Sequence, residues 1–102
     1  MSDCIFCNLK ETLPKEAFVY KDDFCYAIND INPKAKHHIL VIPNEHVESL
    51  NEVEDTMLIK HLFDAIKKIT KEQDIKSFKT LINTGKDAGQ EVFHLHIHIL
   101  AN

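Results

Sequence analysis

Short stretches of two-residue periodicity alternate along the chain with one long stretch of helical periodicity, and that contrast predicts a mixed α+β architecture. Residues 18–28 alternate around Lys21-Asp22-Asp23, which predicts two short strands joined by a tight acidic turn. A loop marked by Asn32-Pro33 follows, and then His38-Ile39-Leu40-Val41-Ile42 reads as a buried β-branched strand. Pro43 ends it, because proline has no N–H with which to extend a ladder. Met57, Leu58, Leu62, Phe63, Ala65, Ile66 and Ile69 recur at helical spacing. This helix is expected to start at an Asn51 cap with Glu54 three residues later. Glu52, Glu54 and Asp55 at its opening and Lys67, Lys68 and Lys71 at its close suit the helix dipole. Residues 78–82 and 94–100 supply the last two strands, and residues 8–12 a short helix. The expected architecture is therefore roughly five strands, one long helix and one short one.

At 102 residues the chain can bury one modest core, which predicts a single domain over residues 1–102. A formal charge of -4 argues against a surface built to hold nucleic acid. The longest aliphatic run, Ile39-Leu40-Val41-Ile42, is too short to span a bilayer, so neither nucleic acid nor membrane is an expected partner. The odd cysteine count and the closeness of Cys4 to Cys7 fit reduced thiols in the cytoplasm better than a disulfide framework. Cys25 reads as a packing residue and His61 as a helix-surface residue.

Both glycines, Gly85 and Gly89, fall in Asn83-Thr84-Gly85-Lys86-Asp87-Ala88-Gly89-Gln90, immediately before His94-Leu95-His96-Ile97-His98. On a strand His94, His96 and His98 share one face, while Leu95, Ile97 and Ile99 point into the core. Three exposed imidazoles, or three ligands on one metal, are the competing readings. Alternate strand residues lie about 6.6 Å apart, and zinc ligands only about 2 Å from the ion, so one ion cannot gather all three on a straight strand. The run is better divided, with one end serving a metal and the rest serving chemistry. His96, flanked on both sides, is the best placed nucleophile if a backbone carbonyl fixes its second nitrogen. His98 and backbone N–H groups of residues 89–92 are candidate donors to a phosphate under attack.

Cys4-Ile5-Phe6-Cys7 has the spacing of half a zinc site or of a redox pair. A redox pair of the thioredoxin type needs a preceding strand, for which position four leaves no room, so no redox cofactor is expected. Zinc requires two further ligands, and His46 and His94 are the candidates for a closed, structural Cys₂His₂ site.

These motifs together resemble the histidine triad (HIT) family, in particular its Hint-like branch. The resemblance runs through Cys4-Ile5-Phe6-Cys7, Asp30-Ile31-Asn32-Pro33, His38-Ile39-Leu40-Val41-Ile42-Pro43 with His46, and Ala88-Gly89-Gln90-Glu91-Val92-Phe93-His94-Leu95-His96-Ile97-His98. It implies an α+β HIT-like fold with a five-stranded antiparallel sheet, a homodimer, and hydrolysis of purine nucleoside phosphoramidates or related nucleotidyl compounds. It further implies His96 as the residue that becomes nucleotidylated, with His98, His38 and Asn83 in support. Asp30 matches the residue for ribose hydroxyls, and Ile5, Phe6 and Ile31 the apolar bed for the purine. Gly89, Gln90, Glu91 and Val92 match the phosphate loop, and Cys4, Cys7, His46 and His94 the zinc ligands of relatives that carry the cysteine pair.

Two departures bear on function. Glu91 stands where relatives often carry a hydroxyl residue, and a carboxylate there repels phosphate unless it points away. His37 precedes His38, and strand alternation lets only one of them face the site. Alternatives to phosphoramidate hydrolysis are a dinucleoside polyphosphate hydrolase and a nucleotide-binding regulatory dimer with weak catalysis. A zinc hydrolase using the whole histidine run is a further one.

Overall fold

A computed structural model describes residues 3–102. Its elements run α1 (Ile5–Thr12), β1 (Phe18–Lys21), β2 (Cys25–Asn29), β3 (His37–Pro43), α2 (Met57–Glu72), β4 (Lys79–Leu81) and β5 (Ile97–Ala101). The strands form one antiparallel sheet in the order β1-β2-β3-β5-β4. No helix among the described residues is long and apolar enough to cross a membrane.

Strand alternation sorts β3 and β5 into two faces. Ile39, Val41, Ile97, Ile99 and Ala101 pack with Cys25, Ala27, Leu62, Ala65, Ile66 and Ile69 in the main core beneath α2. On the opposite face Tyr26, Leu40 and Ile42 form a second cluster with Phe6 of α1. Burying a large aliphatic or aromatic side chain contributes about 1.5–3 kcal/mol, so both clusters hold their helices firmly. The Tyr26 hydroxyl also donates to the Phe6 carbonyl, which ties α1 to the sheet. Cys25 is buried in the main core, as its packing role requires.

Three boundaries differ from the sequence pattern. First, α2 starts at Met57, six residues after Asn51; residues 50–52 form a short 3-10 turn instead. Val53 packs against the main core in extended conformation, and this draws the chain out of helical geometry until Asp55, whose Oδ1 accepts the Met57 N–H at 2.9 Å. Second, α1 starts at Ile5 rather than near residue 8, because Cys4 caps it: the Cys7 N–H donates to Cys4 Sγ. Third, β5 starts only at Ile97, so His94 and His96 precede the ladder. The Leu95 N–H goes to the Val47 carbonyl at 2.7 Å, which holds this approach segment against the turn after β3.

At its far end α2 stops by local chemistry. Asp74 takes a left-handed φ of 55°, and the N–H groups of Asp74 and Ile75 return to the carbonyls of Lys71 and Thr70. That pairing satisfies two carbonyls that would otherwise be orphaned at the helix end.

Candidate active site and metal centre

The histidine run serves two clusters. One joins Cys4, Cys7, His46 and His94; the other joins Asp30, His38 and His98; and His96 lies between them, belonging to neither.

In the first cluster the helix cap brings Cys4 beside Cys7, and Pro43 closes β3 so that the following turn presents His46. His94 Nε2 donates to the Pro43 carbonyl at 2.8 Å, so Nδ1 carries the lone pair. That Nδ1 lies 3.2 Å from Cys4 Sγ, 3.6 Å from Cys7 Sγ and 3.2 Å from His46 Nδ1, while Cys7 Sγ lies 3.5 Å from His46 Nδ1. Bonds of about 2.0–2.3 Å to a tetrahedral ion place ligand atoms about 3.3–3.8 Å apart, so the four donors can hold a metal ion. His94 is 1% exposed and burial pushes its imidazole down, which keeps it in the neutral, ligating form.

His96 is 9% exposed, and its Nδ1 meets the carbonyl of His94 at 2.8 Å. A carbonyl can only accept, so Nδ1 bears the proton and the lone pair stays on Nε2. The Phe6 ring stands edge-on to both imidazoles, 5.9 Å from His94 and 5.0 Å from His96. One residue of α1 thus packs against the metal centre and the candidate nucleophile together.

A relay of bonds fixes the second cluster. The Lys34 N–H donates to His38 Nδ1 at 3.0 Å, which puts the His38 proton on Nε2. Nε2 then donates to His98 Nδ1 at 2.9 Å and lies 3.4 Å from Asp30 Oδ2. His98 therefore carries its own proton on Nε2, a buried donor with no partner among the described residues. Burial first, then the neighbouring His96 and His38, depress the His98 pKa to about 4, so this imidazole stays neutral from pH 5 upward. A neutral imidazole with an unmatched N–H, 5.0 Å ring to ring from His96, is placed to donate to an oxygen or nitrogen at that site.

The HIT domain profile matches residues 12–102. The chain belongs to the HIT family. Protein HitA of Neisseria gonorrhoeae is 43% identical to it over 103 residues, an alignment covering 98% of this chain and 96% of that protein. Among solved structures, a histidine triad protein from Clostridium difficile superposes with a TM-score of 0.93 at 42% identity, covering 100% of this chain and 92% of that one. A HIT family hydrolase from Legionella pneumophila gives 0.89 at 29% identity, over 98% and 93%. The five-stranded antiparallel sheet and two helices are the HIT fold.

Within this HIT domain the remaining predicted site residues divide. The ladder pairs His38 with Leu100 and Leu40 with His98, which sets His38 and His98 diagonally on one face, and alternation sends His37 to the other. His37 instead lines a small cleft with Lys36, Asp74 and Asn102. Val92 packs against the Phe6 cluster. Asn83 lies against the phosphate-loop candidate: a Cβ on Gly89, whose φ is 93°, would sit 3.9 Å from the Asn83 amide. Ile31 is 92% exposed and Ile5 53%, open to a ligand, whereas Phe6 is buried. Glu91 is exposed. Asp30 makes a contact that its sequence gave no sign of, since Oδ2 faces His38 while Oδ1 accepts the Asn32 N–H at 2.8 Å.

Loop donors are fewer than the sequence implied. The N–H groups of Gly89 and Gln90 are already bonded to the carbonyls of Lys86 and Gly85, while those of Glu91 and Val92 meet no carbonyl among the described residues. Gln90 is buried with its amide engaged by backbone. A cleft of about 600 Å³ contains His46, Phe24, Met57 and His61 but none of His38, His96 or His98. His61 is half-buried and stacks on Phe24 with centroids 3.6 Å apart, a packing contact in addition to its helix-surface position.

Proposed function

We propose that this protein hydrolyses purine nucleoside phosphoramidates in the cytoplasm through a covalent nucleotidyl-histidine. His96 Nε2 attacks the α-phosphorus, the bond from phosphorus to the leaving amine breaks, and the amine departs with a proton taken from solvent water. Water then attacks phosphorus, the bond to Nε2 breaks, and the nucleoside monophosphate leaves with His96 restored. His98 Nε2–H meets the charge that develops toward the leaving group, and the N–H groups of Glu91 and Val92 bind the phosphate oxygens throughout. Asp30 and Ile31 receive the ribose and purine.

The observation that carries this reading is the pairing of opposite roles on adjacent imidazoles: a lone pair held on His96 Nε2 by the His94 carbonyl, and an unmatched N–H on His98. Membership in a family that includes a named hydrolase agrees with it. With an adenosine phosphoramidate the expected product is AMP, followed by chromatography. Turnover of a diadenosine polyphosphate at a much higher kcat/KM would instead favour the polyphosphate reading, and AMP binding without turnover of either substrate the regulatory one.

In the metal centre, two thiolates and two imidazoles suit zinc, and four protein ligands leave no position for water or substrate, so its role is structural.

Dimerisation is proposed through β4, an edge strand exposed along its whole length, with Leu81 41% exposed and Phe78, just before the strand, 39%. An edge strand of this kind leaves backbone N–H and C=O groups that a second strand can pair with. Sedimentation should give twice the 11.8 kDa of one chain. Leu81→Lys should weaken self-association at least tenfold, and a monomeric wild type would contradict the assignment.

A further inference from the structure

Gln90 is 3% exposed although its neighbours Gly89 and Glu91 are exposed. Burying an amide is costly unless its donors and acceptor are matched, and here they are. Oε1 accepts the Gly85 N–H at 2.8 Å, and Nε2 donates to the Glu48 carbonyl at 2.7 Å and the Val92 carbonyl at 3.0 Å. The backbone N–H of Gln90 also donates to the Gly85 carbonyl at 3.1 Å, so main chain and side chain both close the loop between these residues. Gly85 and Gly89, with φ of 91° and 93°, allow the bends this closure needs.

Five residues beyond Gln90, the Leu95 N–H donates to the Val47 carbonyl at 2.7 Å. Consecutive carbonyls of one turn, Val47 and Glu48, therefore anchor both ends of the segment from Gln90 to Leu95. Inside it lie the N–H groups of Glu91 and Val92, which meet no carbonyl among the described residues, and at its far end begins the approach to His96.

We propose that Gln90 is a positioning residue for phosphate: its amide braces the segment so that the Glu91 and Val92 N–H groups stand fixed on the approach to His96 without Gln90 touching the nucleotide. This rests on the phosphoramidate reading above. Prealigned N–H groups bind the phosphate oxygens in ground state and transition state alike, so loosening them raises KM more than it lowers kcat. The orientation of His96 comes from the His94 carbonyl, which Gln90 does not contact.

Two variants and one wild-type measurement test it. Gln90→Met keeps the length of the side chain without its hydrogen bonds, and Gln90→Glu turns an acceptor toward two carbonyls. For Gln90→Met, KM for the phosphoramidate and Kd for AMP should both rise about tenfold with kcat within threefold, and the Gly85 amide should exchange faster with deuterium. Gln90→Glu should be worse on KM. In the wild type, where folding is not in question, AMP should slow exchange of the Glu91 and Val92 amides. A fall in kcat at constant KM, an unchanged Gly85 exchange rate, or no AMP effect on those two amides would each overturn the inference. If wild type binds AMP but turns over no phosphoramidate, the reaction assignment fails while the AMP and exchange arms still judge Gln90.

Discussion

His96→Ala is expected to lower kcat/KM for an adenosine phosphoramidate by at least about 10³-fold, a loss of about 4 kcal/mol of transition-state stabilisation. The size follows from the mechanism: without Nε2 there is no covalent intermediate, and water alone must attack phosphorus. Fold and nucleotide binding should survive, because the imidazole makes one hydrogen bond, to the His94 carbonyl, and the surrounding sheet does not depend on it. The same variant should show no nucleotide adduct when quenched during turnover, whereas the wild type gains the mass of a nucleotidyl group on His96. Full turnover by His96→Ala would sink the mechanism. The adjacent groups qualify the expectation in one respect. His98 keeps its N–H at any pH above about 5, so the variant retains a donor for the leaving group but has nothing to attack with.

Removing the metal is the second large effect, and it should appear in stability before it appears in rate. Cys4 caps α1 and Cys7 lies in its first turn, and His46 and His94 lie in the turn after β3 and in the approach to β5, segments far apart in sequence that the unfolded chain does not hold together. Metal binding free energy is then folding free energy. An ion present at about 1,000 times its Kd contributes about 4 kcal/mol, which for a domain of this size corresponds to about 15–30 °C in Tm. Chelation, or Cys4→Ser, should lower Tm by that order, and added zinc should restore it in the wild type alone. Turnover well below the new Tm should persist in part, because His96 is held by backbone rather than by the ion. A catalytic metal would behave the other way, with activity lost on chelation and Tm unmoved, and calorimetry beside a rate assay separates the two.

Some of this was readable in local pattern, because the physics that decides it is local. Alternation told which of Leu95, Ile97 and Ile99 were core, helical spacing located the body of α2, and the reach of a strand set against the size of a coordination shell divided the histidine run between two tasks. The start of α2 was not readable: Asn51 and Glu54 make a plausible cap in isolation, and only the packing of Val53 in the core rules it out. His37 and His38 are equivalent in sequence, and the pairing of β3 with β5 decides between them. The strand geometry assigned to His94 and His96 was wrong in detail, since the Leu95 N–H leaves the sheet for Val47.

By itself, the sequence determined the family and the cysteines and histidines that gather in the two clusters, because motif order and residue type carry that information directly. The tertiary structure alone decided how those residues act on one another. Proton placement on His96 and His98, the contact of Asp30 with His38, the packing of Phe6 on both His94 and His96, and the hydrogen bonds of the Gln90 amide each depend on atoms distant in sequence meeting within a few ångströms. Hydrogen bonds and ring contacts of that kind are set by the packing of sheet and helices, and no local pattern encodes them.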